Sequence, residues 1–257
     1  MLQVRNMTKR FGGLTAVNGV DLHVIKGEIL SVIGPNGAGK TTFFNLLTGL
    51  IAPDEGEVLL DGINITGLSP DIIALKGIGR TFQNIRIFSS MTVLENVLVA
   101  CDARSKTGYL EALLHTPSFY REEAVQRNKA IELLKYMALD TKKNELACNL
   151  SYGQQRRLEI ARALALNPSV MLLDEPAAGM NPSEKIRLNE MVQQLRKDFG
   201  FALVLIEHDM KMVMNISDRI IVLDYGSKIA EGSAQEIQNH PRVIEAYLGH
   251  GHAGKSK

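Results

Sequence analysis

The segment Gly34-Pro35-Asn36-Gly37-Ala38-Gly39-Lys40-Thr41-Thr42 limits the possible folds of this chain more than any other feature. It follows the short apolar run Ile29 to Ile33, which reads as a strand buried on both faces, and precedes the helix-forming residues Phe43 to Leu50. A Gly-x4-Gly-Lys-Thr turn between strand and helix lets backbone N–H groups point inward around phosphates. The helix N-terminus adds the positive end of its dipole. Lys40 is then placed to reach the β- and γ-phosphate oxygens, and the Thr41 hydroxyl to ligate Mg²⁺.

Alternating strands and helices continue around this turn. Val20, Leu22 and Val24 alternate with Asp21 and His23, the pattern of a half-exposed strand closing at Lys26-Gly27. Val58 to Leu60 before Asp61-Gly62 predicts the outer strand of a hairpin. Ser69-Pro70-Asp71 predicts a helix start, with a cap, a first-turn proline and an acid against the dipole. From Thr92 to Leu150 the periods are mostly helical, with Ala130, Leu133, Leu134 and Met137 at i, i+3, i+4 and i+7. Tyr109 to Tyr120 interrupts them with apolar and aromatic residues and Pro117. Later strands are expected at Val170 to Asp174, Phe201 to Ile206 and Ile220 to Leu223, with helices beginning near Ser151, Ser183 and Asp209. Such alternation predicts a parallel sheet with helices on its faces, the helical block being an insertion.

Composition removes several classes of function. The 257 residues carry 29 basic and 28 acidic side chains, a net +1, which does not suit a protein that coats nucleic acid through bulk positive charge. Cys101 and Cys148 lie far apart with no metal-ligand spacing, so both read as core thiols in a reducing compartment. Arg5, Lys9 and Arg10 with no long apolar stretch are not the pattern of a secretion signal. No run approaches the ~18 apolar residues of a membrane span, so a membrane connection is expected only through a partner.

Val170-Met171-Leu172-Leu173-Asp174-Glu175-Pro176 delivers two carboxylates at a strand end, the edge of a parallel sheet where ligands sit. Asp174 is placed to hold Mg²⁺ through its water shell, and Glu175 to orient or deprotonate an attacking water. Ser151-Tyr152-Gly153-Gln154-Gln155 opens another helix. Ser151 suits an N-cap, and the free N–H groups around Gly153 would offer a second anion site. If that site lies too far from the phosphate loop to clamp one nucleotide, the clamp has to form between two subunits.

Over nearly its full length the chain resembles an ATP-binding cassette ATPase. Phe11 in Arg10-Phe11-Gly12 matches the aromatic that stacks on adenine, and Gly34 to Thr42 the phosphate loop. Gln83 in Thr81-Phe82-Gln83 matches the glutamine that senses Mg²⁺ and water. Ser151, Gly153 and Gln154 fall in the signature sequence, Asp174-Glu175 is the acidic pair, and His208 in Ile206-Glu207-His208-Asp209 is the switch histidine. The resemblance implies an α/β fold: a P-loop NTPase core with a mostly parallel sheet, an N-terminal antiparallel β-subdomain and an inserted α-helical subdomain. The cassette would cover residues 1–249, with the insertion at about 87–150 and a flexible tail at 250–257. Tyr152 stands where the family usually has glycine, and Asn181 where it has the aspartate of a loop that crosses the dimer.

The block Ser151 to Arg162, Arg80-Thr81-Phe82-Gln83, Met91-Thr92-Val93-Leu94-Glu95-Asn96 and the end Ala246-Tyr247-Leu248-Gly249 are similar to bacterial importers of branched-chain amino acids. The Leu113 to Phe119 insertion resembles the LivG-like type. This implies an ATPase using ATP and Mg²⁺ at the cytoplasmic face of the membrane. Its expected partners are transmembrane permease subunits, a second ATPase subunit and, indirectly, a solute-binding protein, with no nucleic acid. Lys40, Gln83, Glu175 and His208 would be its catalytic residues, and Thr41, Gln83 and Asp174 its Mg²⁺ donors. The competing readings are the ATPase of lipopolysaccharide export, a soluble non-transport cassette, and a small-molecule phosphate-loop kinase.

Overall fold

Every side chain of Ile29–Ile33, Val170–Asp174 and Ala202–Ile206 is buried. Apolar runs of this kind suit a parallel sheet covered on both faces. The computed structural model places them there, and it describes residues 1–104 and 116–252, with side chains as far as Tyr247. The larger sheet has six strands in the order β10 (Ser227–Gly232), β9 (Arg219–Asp224), β3 (Ile29–Ile33), β8 (Ala202–Ile206), β7 (Val170–Asp174) and β6 (Ile78–Arg80). All these pairings are parallel except that of β10 with β9. A four-stranded antiparallel sheet lies in the order β2 (Leu14–Val24), β1 (Leu2–Phe11), β4 (Glu55–Leu60) and β5 (Ile63–Asn64).

Because side chains alternate along a strand, the parallel sheet divides its apolar residues between two cores. Val170, Leu172 and Val204 join Leu22, Phe43 and Val58 on the side of the antiparallel sheet. Met171, Leu173, Leu203 and Leu205 pack against the helices on the other side. There Ala130, Leu133, Leu134 and Met137 are all buried, as their spacing predicts, at the end of α4 (Pro117–Tyr136). They meet α3 (Val93–Asp102), α5 (Tyr152–Ala165) and α6 (Pro182–Phe199). A smaller cluster joins Ile33, Val222 and Ala230 to Ile237 of α8 (Ala234–Gln238) and Val243 of α9 (Pro241–His252).

Several boundaries differ from the sequence expectation. Helix α1 (Lys40–Leu47) begins at Lys40 rather than Phe43, so the last residues of the glycine-rich motif form its first turn. β6 is only three residues long, too short to show a period, and β10 carries no apolar alternation that announces it. Helix α9 continues to His252, past Gly249 where a tail was expected. Cys101 is buried, but Cys148 is exposed. It lies in the short 3-10 turn Ala147–Asn149, which turns Ala147 inward and leaves its neighbour to solvent. Positions 109–115 of the apolar stretch lie outside the described residues. No helix among the described residues is long and apolar enough to cross a membrane.

Candidate active site

The phosphate loop runs directly from β3 into α1. At Gly39 the backbone has φ +93°, and a Cβ there would lie 2.2 Å from the Ala16 carbonyl oxygen. Only glycine fits that approach, and it draws the loop against β2. The chain beside it is fixed from the far edge of the molecule: Gly226 N–H donates to Ala38 O at 3.2 Å, and Asn18 N–H to Gly226 O at 2.8 Å. Lys40 is buried at the helix start, and its Nζ donates to Gly34 O at 2.7 Å and Pro35 O at 2.9 Å. Burial lowers the Lys40 ammonium below the usual lysine range, while Glu175 and Asp174 oppose that shift.

A cavity of about 480 Å³ opens over this loop. Its loop side carries Asn36, Gly37, Ala38, Gly39, Thr41 and Thr42, with Lys40 beneath. Phe11, at the end of β1 and 47% exposed, forms one wall with Leu14 and Tyr225. Lys9 Nζ stands 5.6 Å from the Phe11 ring centroid. Gln83, Glu175 and His208 close the opposite side.

These last three residues come from separate parts of the chain and meet at one carboxylate. Gln83 Nε2 donates to Glu175 Oε2 at 2.7 Å, and His208 Nε2 shares a short hydrogen bond with Glu175 Oε1. Glu175 has φ +45°, an uncommon conformation for a non-glycine residue, and its N–H donates to Ile206 O at 2.9 Å. The strain turns this carboxylate away from the strand on which Asp174 ends. His208 follows Glu207, a buried acid that accepts from Ala177 N at 2.8 Å and His208 N at 3.1 Å. Burial pushes the Glu207 carboxyl upward, and the backbone donors partly offset it.

Asp174 sits one layer deeper and does not line the cavity. It is 1% exposed, and its Oδ2 accepts from Arg80 Nη2 at 3.0 Å. Its Oδ1 is buried without a hydrogen-bond partner. Burial raises the Asp174 carboxyl, against the pull of Arg80. The unsatisfied Asp174 oxygen, the Thr41 hydroxyl and the Gln83 amide oxygen are hard donors of the kind a small cation takes; Thr41 and Gln83 line the cavity and Asp174 does not. Among the described residues no group of three or more His, Cys, Asp or Glu could hold a metal. That is compatible with Mg²⁺, which keeps waters and uses few protein ligands.

Ser151, Gly153 and Gln154 are not brought to this cavity. They start α5, line a different hollow, and form their own cap: Ser151 N–H donates to Gln154 Oε1 at 3.0 Å. Tyr152 lies against Gly179, where a Cβ would be 3.6 Å from its ring. Asn181 caps α6, accepting from Glu184 N at 3.0 Å and Ser183 Oγ at 2.7 Å.

Sequence reasoning missed the supports of this site. Arg156 is fully buried, and it donates to Phe82 O, to Gln83 O at 2.8 Å and to Glu159 Oε2 at 2.7 Å. Glu159 in turn accepts from Phe82 N at 3.1 Å and Arg86 N at 3.3 Å, so the Gln83 segment is held at both ends. The available signal was the i, i+3 spacing of Arg156 and Glu159 on a helix whose buried face is otherwise mostly apolar.

Comparison with known proteins agrees with this arrangement. The model of the ABC transporter family matches residues 17–178. The chain belongs to that family. A second model, of branched-chain amino acid ATP-binding cassette transporters, matches residues 227–253. The cassette is 49% identical over 249 residues to the high-affinity branched-chain amino acid transport ATP-binding protein LivG of Escherichia coli K12, covering 97% of this chain and 98% of LivG. The corresponding protein BraF of Pseudomonas aeruginosa has the same identity and coverage. Among solved structures, the ADP conformation of an ATP-binding cassette of an ABC transporter superposes with TM-score 0.83 at 35% identity, covering 97% of this chain and 98% of that one. A bacterial ABC transporter cassette solved as a dimer gives 0.77 at 30% identity, covering 91% of this chain and 99% of its own.

Proposed function

We propose that this cassette is the ATP-hydrolysing subunit of an importer of branched-chain amino acids. It would work at the cytoplasmic face of the membrane with transmembrane permeases, a second cassette and, indirectly, a solute-binding protein. The observation that carries this reading is the meeting of Gln83, Glu175 and His208 above the phosphate loop, with the Ser151 helix start turned to another face. In this reading each chain supplies all but one wall of a nucleotide site, and the missing wall comes from the neighbour.

ATP would lie with its base on Phe11 and its phosphates in the N–H cradle of Gly34 to Thr42. Lys40 would exchange its two carbonyl partners for β- and γ-phosphate oxygens. Mg²⁺, when bound, neutralises charge on those oxygens, and Thr41, Gln83 and Asp174 would hold it. Glu175 would leave Gln83 and His208 to accept a proton from the attacking water. His208, freed from Glu175, would hydrogen-bond the terminal phosphate. Ser151 and Gly153 of the opposing subunit would cap that phosphate with N–H groups and the dipole of α5. Closure would exclude water and complete the site.

A hollow of about 300 Å³ between Ile73, Ala100, Phe82, Arg86 and Arg162 supports permease docking, because it shares Phe82 with the segment that carries Gln83. A helix seated there would move Gln83 directly. Co-purification from membranes with permeases expressed alongside, and uptake of labelled leucine that disappears with Lys40→Ala, test the reading. Recovery on ribosomes or with lipopolysaccharide-export components would overturn it, as would a phosphorylated product in place of free phosphate.

A further inference from the structure

A second cavity, of about 400 Å³, opens where the end of α4, the start of α5 and the start of α6 converge. That volume is within the roughly 300–1,000 Å³ of small-ligand sites. Glu184, Arg187, Leu188 and Met191 recur three or four residues apart and share one face of α6, with Met180 on its approach. Gly153 and Arg157 share a face of α5 in the same way. Met137, Met180, Leu188 and Met191 give the cavity an adaptable apolar wall.

Three arginines and one acid line it, and of these Arg156 is already paired with Glu159. Arg157 Nη1 donates to Met137 O at 2.8 Å. Neither Arg157 nor Arg187 forms an ion pair among the described residues. Burial lowers the Arg157 guanidinium, and the neighbouring charge of Arg187 lowers it further. Two cations facing one cavity repel each other, and an anion between them would relieve this. Glu184 is held in place because its Oε2 accepts from Asn181 N at 3.0 Å. Its Oε1 stays near Gly153, 3.7 Å from where a Cβ on that residue would lie.

We propose that this cavity binds a free α-amino acid with an apolar side chain. Its carboxylate would sit between Arg157 and Arg187, its ammonium on Glu184 Oε1, and its side chain against the methionines. A phosphate ligand would be repelled by Glu184, and a fatty acid would leave Glu184 unused. Only the choice of leucine as the probe rests on the transport reading. Seated behind Ser151 and Gly153, the ligand would tie α5 to α6, and so report amino-acid supply to the element that caps the neighbour's phosphate.

Calorimetric titration of the full chain with L-leucine should show one site per chain. L-Leucinamide, without the carboxylate, and 4-methylpentanoate, without the ammonium, should each bind at least about tenfold more weakly. Arg187→Met should weaken leucine binding by a similar factor while ATP binding is unchanged. Glu184→Gln, which keeps a side chain able to cap α6, should abolish the preference for leucine over 4-methylpentanoate. Absence of leucine binding by a chain that still binds ATP would overturn the proposal, as would equal leucine affinity in Arg187→Met. Loss of leucine uptake by the assembled parent transporter would count against the transport reading alone and leave the titration result standing.

Discussion

Glu175 combines a left-handed backbone, two side-chain partners and a place at the cavity edge, whereas Asp174 beside it is buried against Arg80. Glu175→Gln should therefore keep ATP binding and cut turnover by roughly 10²–10⁴, the worth of a positioned general base. Steady-state phosphate release beside nucleotide titration measures both effects. Lys40→Ala should instead lose nucleotide binding, because the cation buried under the loop is removed. Arg156→Met tests the support: Glu159 would be left buried and unpaired, which costs about 3–5 kcal/mol, read by urea denaturation. Asp174 and Glu175 are legible in the sequence as a pair at a strand end, but Arg80 and Arg156 are not. Arg80 reaches Thr48 and Asp174, and Arg156 the Phe82 and Gln83 carbonyls, all far away in the chain; only the Arg156–Glu159 spacing is local.

At the scale of elements, local chemistry explains where helices begin. Thr92 with Glu95, Asn181 with Glu184 and Ser233 with Glu236 form reciprocal caps, and each pair is visible as a polar residue followed three positions later by an acid. Asp209 caps α7 (Met210–Ile216) by accepting from Lys211 N and Met212 N, and it also pairs with Lys185 at 2.8 Å. The hydrogen bond from Lys185 is the main cause holding the Asp209 carboxyl below its ordinary value of 3.8. A depressed carboxylate stabilises the fold above the usual carboxylate range, and that contribution is lost as pH falls through its native value. Asp209→Asn keeps the cap and removes the charge. Its stability deficit relative to the parent should thus be present near neutrality and shrink as pH falls from about 6 toward 3, as thermal unfolding across that range would show. Helix α1 starts earlier than its apolar residues indicate, because the loop glycines rather than the apolar spacing set the first turn.

For the molecule as a whole, the decisive fact is that the phosphate loop and the Ser151 helix start line different hollows. With Mg·ATP, Glu175→Gln should accumulate as a dimer in light scattering, since closure is possible and hydrolysis is blocked. Adding Gly153→Asp should keep the chain monomeric while each copy still binds ATP, because the new carboxylate would face the neighbour's terminal phosphate. Tyr152 and Asn181, the departures from the family pattern, are both engaged within one chain, Tyr152 over Gly179 and Asn181 at the start of α6. Their roles across a dimer would have to be compatible with those local contacts.

The order of strands and helices, the phosphate loop and the acidic pair follow from the sequence by itself, because each depends on residues close together in the chain: an apolar run, a glycine spacing, a capping pair. The short edge strand β6, the exposure of Cys148, the ion pair of Arg80 with Asp174, the hold of Arg156 on the Phe82 and Gln83 carbonyls, and the second cavity between α4, α5 and α6 were decided only by tertiary structure. They depend on which distant backbone groups and side chains share a low-dielectric interior, and no local period records that.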